Sequence, residues 1–452
     1  MAWFAQLLFA AVFVTAVVLF SRSVGRIRRN LQLGRHEPRT DNRAQRWRNV
    51  LLVALGQKKM FARPLPAVLH LCVYVGFLVV NVEVIEIVVD GLAGTHRFFG
   101  QFGGVVYDAV IAAAEVFLVL VLLGTLGFLA RRDLLKLKRF TGTEMTRWPR
   151  MDARIILVTE IVLVAALVVM NAADQTLQAR GAPHYVQAGV FPFSGVVAPL
   201  FAGMGTGTLV AVERTAWWLH IVGILAFLNY IPYSKHLHIL LAFPNTYYSN
   251  TGIKPLGGFA IDANVKREVE LMLTGDPYAA PATDAPATPQ RFGAKDVFDL
   301  PRADLLAAYT CTECGRCTSV CPQNQTGKLL SPRKIMMDTR DRAEEVGVAL
   351  AKTNGQWQDD GKSLLGSYIT PEEVWACNTC SACADACPVN INPMGIIVQL
   401  RQYQVMEESG GPMQLNSMFN NITNAGTPWA LSAADRFNWA DQVEVPDTKL
   451  TR

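Results

Sequence analysis

Residues 3 to 20, WFAQLLFAAVFVTAVVLF, are apolar over a length that crosses a bilayer, and further apolar runs fit at about 67–89, 109–130, 154–172 and 213–241. Backbone polar groups in hydrocarbon must bond within the segment, so runs this long are expected to be helices, five of them. A mean hydropathy of +0.22 with only 17% charged residues excludes a purely soluble chain. The net charge of +5 does not point to nucleic acid, because the basic residues gather between apolar runs, where they read as topology signals.

The connector from 21 to 66 holds Arg22, Arg26, Arg28, Arg29, Arg35, Arg39, Arg43, Arg46, Arg48, Lys58, Lys59 and Arg63, and RRDLLKLKR follows the third run. The connectors 90–108 and 173–212 hold one arginine each, Arg97 and Arg180. Positive charge on the inner side then places the N-terminus outside and everything after the fifth helix in the cytoplasm, in an inner membrane. The competing reading of the first run, a cleaved signal peptide, lacks a basic start and a small-residue cleavage site. The stretch 186–205 is also apolar, but Pro192, Pro199 and its glycines predict an outer interfacial or re-entrant cap rather than a sixth crossing.

Composition changes after residue 242, and APATDAPATPQ (280–290) reads as a linker. The expected fold is all-α: a transmembrane bundle over 1–245, a linker over 246–291, an α-helical ferredoxin domain over 292–405 and a tail over 406–452 containing Trp429 and Trp439.

Eight of the nine cysteines form two copies of C-x2-C-x2-C-x3-C-P: Cys311, Cys314, Cys317 and Cys321, then Cys377, Cys380, Cys383 and Cys387. Three thiolates within seven residues wrap three corners of a cubane, and in two-cluster ferredoxins the fourth comes from the other motif. One [4Fe-4S] cluster is therefore expected on Cys311, Cys314, Cys317 and Cys387, and the other on Cys377, Cys380, Cys383 and Cys321. Zinc, the alternative, takes separated C-x2-C pairs rather than this packed quartet before proline. The ninth cysteine, Cys72, reads as a small buried hydrophobe in the second run.

The fifth run carries His220, His236 and His238. On one continuous helix eighteen residues make five turns, so His220 and His238 would share a face roughly 27 Å apart, with His236 turned roughly 160° away from His238. His70 lies near the inner end of the second run, at the depth of His238, and two neutral imidazoles on adjacent helices make an axial pair for haem b. The bland alternative is a pair of boundary histidines reaching to the interface. Opposite His220 stand Glu83 and Glu86, with His96 in the outer connector, so a second haem, a quinone and proton site, or a satisfied core histidine all remain open. Arg63 and Lys235 lie at the level of the inner haem, where propionates would need partners.

These residues carry a resemblance. The first 245 residues resemble the five-helix cytochrome b subunit of respiratory nitrate reductase and the membrane subunit of heterodisulfide reductase, in which two fifth-helix histidines eighteen residues apart pair with two on the second helix. That implies a haem on His70 and His238, whereas the position expected to pair with His220 is Val80. From about residue 292 the chain resembles heterodisulfide-reductase-like iron–sulfur proteins, with the helical ferredoxin also seen in succinate dehydrogenase. In those proteins CCG domains follow, and GTPWALSAADRFNWADQ resembles the segment that precedes them, which implies a tail docking on a CCG-domain subunit.

The chain thus reads as a membrane-bound electron-transfer subunit linking a cytoplasmic partner, a CCG-domain protein and with it an electron-transfer flavoprotein, to the quinone pool. Catalysis specific to a substrate would belong to that partner. A membrane-anchored redox sensor or scaffold is the reading of another class, and Glu83, Glu86, Glu115 and Glu160 within the runs raise a redox-driven ion pump. Iron and acid-labile sulfide are each expected at about eight per chain by chemical assay; zinc in their place would end the ferredoxin reading.

Overall fold

The structure, a computed structural model, describes residues 2–251, 263–274, 291–432, 434–435 and 438–440. Much of the expected linker 246–291, APATDAPATPQ (280–290) included, lies outside the described residues, and Ala263–Thr274 within it is a helix. Helices account for the fold, and among the described residues there is no strand beyond isolated bridges.

Five helices are long and apolar enough to cross a membrane. They are α1 (Ala2–Leu31), α2 (Pro64–Ala93), α3 (Gly100–Asp133), α4 (Arg147–Ala179) and α5 (Thr206–Tyr230). Phe9, Ile87, Leu118, Leu167 and Trp217, one from each, meet in a single buried cluster. Lipid tails are as apolar as these side chains, so close approach rather than water exclusion must favour association. Gly124 permits it: a Cβ there would lie 3.0 Å from the carbonyl oxygen of Leu69 on α2. The stretch 186–205 forms only short turns, Ser194–Val197 and Ala198–Phe201, and makes no crossing.

The fifth run differs from the expectation of one helix over 213–241. Helix α5 stops at Tyr230, and two 3-10 turns over Ile231–Tyr233 and Lys235–Leu237 precede a separate helix α6 (His238–Tyr248). Pro232 has no N–H to offer the helix, and Ser234 is extended, its hydroxyl accepting from the His236 backbone N–H. His220 and His238 therefore do not share a face of one helix. Nor does His236 point away from His238; their ring centroids are 5.7 Å apart.

The chain divides into two compact units. The first joins Met1–Ala260 to Asp296–Ile397 and so includes the bundle and both cysteine motifs. Within it α7 (Arg302–Thr310), α8 (Arg316–Val320), α9 (Pro332–Lys352) and α10 (Ala382–Ala386) build the cysteine-bearing segment. It is fastened to the cysteine-side end of the bundle by groups that the sequence offered as topology signals. Lys59 Nζ donates to the Ala384 carbonyl (3.2 Å) and to Asn390 Oδ1 (3.1 Å), and Arg63 Nη2 to Ser319 Oγ (3.0 Å). Asn30 Nδ2 donates to Tyr309 Oη at 2.8 Å. Arg333, 1% exposed, pairs with Glu144 at 2.5 Å and donates to the Arg139 carbonyl.

The second unit comprises Ile261–Lys295 and Val398–Arg452. It contains the helix Ala263–Thr274, the end of α11 (Pro393–Met406) and α12 (Met413–Ala425). Ala294 N–H donates to the Gln399 carbonyl at 2.9 Å, and Lys295 lies over the Tyr403 ring.

Arg333→Ala would strand the buried Glu144 carboxylate, a loss of about 3–5 kcal/mol for a broken buried pair. Limited proteolysis in detergent is expected to cut the 296–397 segment of this variant sooner than that of the unaltered chain.

Candidate functional site

Each cysteine motif bends its chain the same way. A left-handed residue, Gly315 (φ 70°) or Ser381 (φ 61°), sits between the second and third cysteines and opens the short helix, α8 or α10, that carries the third. The closing cysteine is extended at that helix's end, which turns its thiol away from its own motif. Cys321 accordingly lines one small cavity together with Cys377, Cys380 and Cys383. Cys311, Cys314 and Cys317 have Cys387 as their electrostatic neighbour from the other motif.

Burial pushes the Cys311 and Cys383 thiols up to about 12 and that of Cys317 well above the ordinary thiol value. Thiolate ligation there needs a positive metal centre to offset the desolvation. Among the described residues no three His, Cys, Asp or Glu side chains converge as on a single ion. Backbone amides also face the cysteines: the Ile391 N–H lies 3.3 Å from Cys387 Sγ and the Thr379 N–H 3.4 Å from Cys377 Sγ.

Between this segment and the bundle, the sequence-expected His70 and His238 come together. Their ring centroids are 6.3 Å apart with the rings inclined at 48°. With metal–imidazole bonds of about 2 Å, two axial rings on one iron place their centroids about 6 Å apart, so the spacing fits. His70 Nδ1 lies 3.0 Å from Gln57 Oε1, and His238 Nδ1 3.0 Å from the Lys235 carbonyl. Both partners only accept, so both Nδ1 atoms carry the proton and both Nε2 lone pairs stay available to a metal. Gln57, itself buried, was missed by the sequence reading; only its place in the turn before α2, at positive φ, marks it out.

Lys235 does not wait for a propionate. Its Nζ lies 2.6 Å from Glu313 Oε2, inside the first cysteine loop, and 2.8 Å from the Pro149 carbonyl. Burial would raise the Glu313 carboxyl, but Lys235 and Arg340 override that and hold it below its usual value.

Midway along α5 His220, 3% exposed, gives its Nδ1 proton to the Leu163 carbonyl at 2.8 Å, and its buried Nε2 has no partner among the described residues. Val80, the position expected to pair with His220, packs against the apolar cluster containing Trp217 and Ile221. His96 is no alternative partner: Nε2 meets Asp174 at 2.9 Å and Nδ1 accepts from the Val186 N–H. Glu83 and Glu86 line a cavity of about 200 Å³ between α2 and α3 with Val82, Phe99, Val106 and Tyr107, and His220 is not among its lining residues. Glu86 accepts from Tyr107 Oη (2.7 Å) and the Phe99 N–H (2.9 Å), and Glu83 pairs with Arg97 at 2.9 Å. Arg97 also holds Asp174 and Asn171, whose amide donates to Glu115. Glu115 in turn caps the 193–194 turn, so the structure uses that acid for architecture. No sequence period marks Tyr107 or Asp174 as members of this network.

Residues 310–391 match the family model of a 4Fe-4S dicluster domain. Over 98% of its length the chain is 27% identical to a probable iron–sulfur-binding oxidoreductase of Bacillus subtilis, covering 61% of that protein. An EtfAB:quinone oxidoreductase of Syntrophomonas wolfei is 24% identical over 89% of the chain and 55% of its own length. One component of the dihydromethanophenazine:CoB–CoM heterodisulfide reductase of Methanosarcina mazei is 26% identical over 34% of the chain and 37% of its own length. The chain thus spans under two thirds of these relatives. No solved structure matches it. Residues 310–391 thus form a 4Fe-4S dicluster domain, and the chain, with five helices long and apolar enough to cross a membrane, is similar to iron–sulfur and electron-transfer oxidoreductases.

If closing cysteines are exchanged between motifs, Cys321→Ser disables the site made with Cys377, Cys380 and Cys383 and spares the other. Iron analysis is expected to fall by about half, and the surviving electron paramagnetic resonance signal to match the one lost in Cys387→Ser.

Proposed function

We propose that the chain is a membrane-bound electron-transfer subunit joining a soluble redox partner to the quinone pool, with two [4Fe-4S] clusters and a haem b as its centres. The observation that carries this reading is the His70–His238 pair lying in the same compact unit as both cysteine sets. Cys311, Cys314, Cys317 and Cys387 would hold one cluster, Cys377, Cys380, Cys383 and Cys321 the other, and His70 and His238 the haem. When bound, such groups supply one-electron redox centres.

The chain's residues supply position and insulation. Gln57 and the Lys235 carbonyl fix the tautomer and tilt of the two imidazoles. Lys59, between the Ala384 carbonyl and Asn390, draws the second cysteine loop onto the bundle, and Asn245 does the same through the Val389 carbonyl.

Quinone would enter the cavity between α2 and α3, where exposed Val82 and Val106 give an apolar mouth and Glu86 and Tyr107 a polar floor. The Glu86 carboxylate would exchange the quinol proton, with Tyr107 Oη orienting it. His220 stands outside that cavity, which leaves its unpartnered Nε2 for a further ligand within the bundle. The basic connectors support a cytoplasmic position for the cysteine end. The relative named for EtfAB and quinone supports an electron-transfer flavoprotein as donor, the heterodisulfide reductase relative supports a further subunit as direct partner, and the resemblance of the tail makes that subunit a CCG-domain iron–sulfur protein. Tail residues Trp429 and Trp439, both exposed in the second unit, would meet it.

His70→Ala and His238→Ala are each expected to abolish the low-spin b-type absorbance; a full spectrum in both variants overturns the assignment. Glu86→Gln is expected to slow quinol turnover by about 100-fold or more at unchanged haem absorbance, as loss of a proton-transfer group does, measured with a soluble quinol analogue.

A further inference from the structure

Three arginines, Arg63, Arg139 and Arg316, lie near one another at the His70 end of α2, with no carboxylate partner among the described residues. Arg63 precedes His70 by seven residues and caps α2, so it stands over nearly the same helix face about 10 Å toward the cysteine end. Its Nη2 donates to Ser319 Oγ, and that hydroxyl donates to the Arg316 carbonyl at 2.8 Å, which fixes Arg63 against α8. Arg316 is 5% exposed and lies close enough to bear electrostatically on the His70 ring. Arg139 comes from the turn after α3. Its carbonyl would lie 2.9 Å from a Cβ at Gly315, so its backbone presses on the residue next to Arg316.

The Arg139 guanidinium has Nε and Nη1 both buried and both without a hydrogen-bond partner. Arg63, Arg316 and Arg131 are its like-charged neighbours, and the Cys314 sulfur lies beside it. Arg316 likewise faces cysteine sulfurs and Arg63, with no carboxylate among its principal neighbours. Like charges desolvated together are costly unless an anion joins them. Planar guanidinium groups suit a carboxylate, which they bind through paired N–H donors.

Resting on the haem reading above, we propose that Arg63, Arg139 and Arg316 form an anion clamp that receives the two propionate carboxylates of the haem held by His70 and His238. Arg316 lies inside the first cysteine motif, so the iron–sulfur segment supplies part of the haem site. The ligand class is a dicarboxylate presented at the cysteine-side end of the bundle. The rival occupant of the same charge is the first cysteine-bound cluster itself.

The test uses the full chain in detergent, as the unaltered protein and as Arg63→Gln, Arg139→Gln and Arg316→Gln. Optical redox titration reads the haem, and electron paramagnetic resonance the clusters. Removing a positive charge beside the propionates favours the oxidised haem. Each variant is expected to keep the b-type absorbance, while the reduced-to-oxidised ratio at a fixed potential falls about tenfold, equivalent to about 59 mV for one electron. Arg139→Lys, which keeps the charge, is expected to recover most of the shift. A b-type spectrum whose midpoint ignores all three substitutions overturns the clamp alone, and a shift confined to the cluster signal assigns the arginines to the cluster. If the unaltered chain binds no b-type haem, the haem reading fails and the clamp with it.

Discussion

The contact between Lys235 and Glu313 holds the rest of the arrangement in register. Glu313 lies between the first two cysteines, and Lys235 lies in the turn before His238. The same residue that reaches the cysteine loop with its ammonium steadies the imidazole with its carbonyl. A buried ion pair contributes little net stability against apolar packing, but half of one is costly, so the loop and the turn are obliged to keep each other's position. Arg340 completes the charge balance around Glu313. Two ligand-bearing loops from distant parts of the chain are thereby tied by one lysine.

A second polar system organises the other end of the bundle. Arg97 reaches Glu83, Asp174 and Asn171, and through Asn171 the network extends to Glu115 and the 193–194 turn. Buried among helices with no water to replace a lost partner, such a network is stable only when complete. It fixes the connectors 90–108 and 173–212 relative to α2, α3 and α4. Glu86 stands at its edge, facing the cavity, and shares Arg97 only at 3.6 Å.

Much of this was legible in the sequence because the constraints were local. Runs of apolar residues dictate helices wherever water is absent, and the doubled cysteine spacing matches two loops that bend in the same way. His70 and His238 were read from depth alone, which survives a change of helix. What failed was phase: Pro232 and Ser234 break the fifth run, so reasoning from turns of one continuous helix misplaced His236. Lys59, Arg63 and Lys235 were visible as basic residues, yet their roles depend on loops distant in the chain. Gln57, Tyr107 and the orphaned Arg139 depend on tertiary contacts that no periodicity announces.

The break between α5 and α6 has one more implication. A ligand on an unbroken helix is locked to every other residue of that helix, and one inserted residue would swing it by about 100°. Here His238 opens its own helix, held by Lys235 beside it and, at the far end, by the Asn245 contact to the Val389 carbonyl. Its aim is therefore inherited from the iron–sulfur segment rather than from the spanning helix before it. The eighteen-residue interval from His220 is then a covalent tether rather than a shared helical phase.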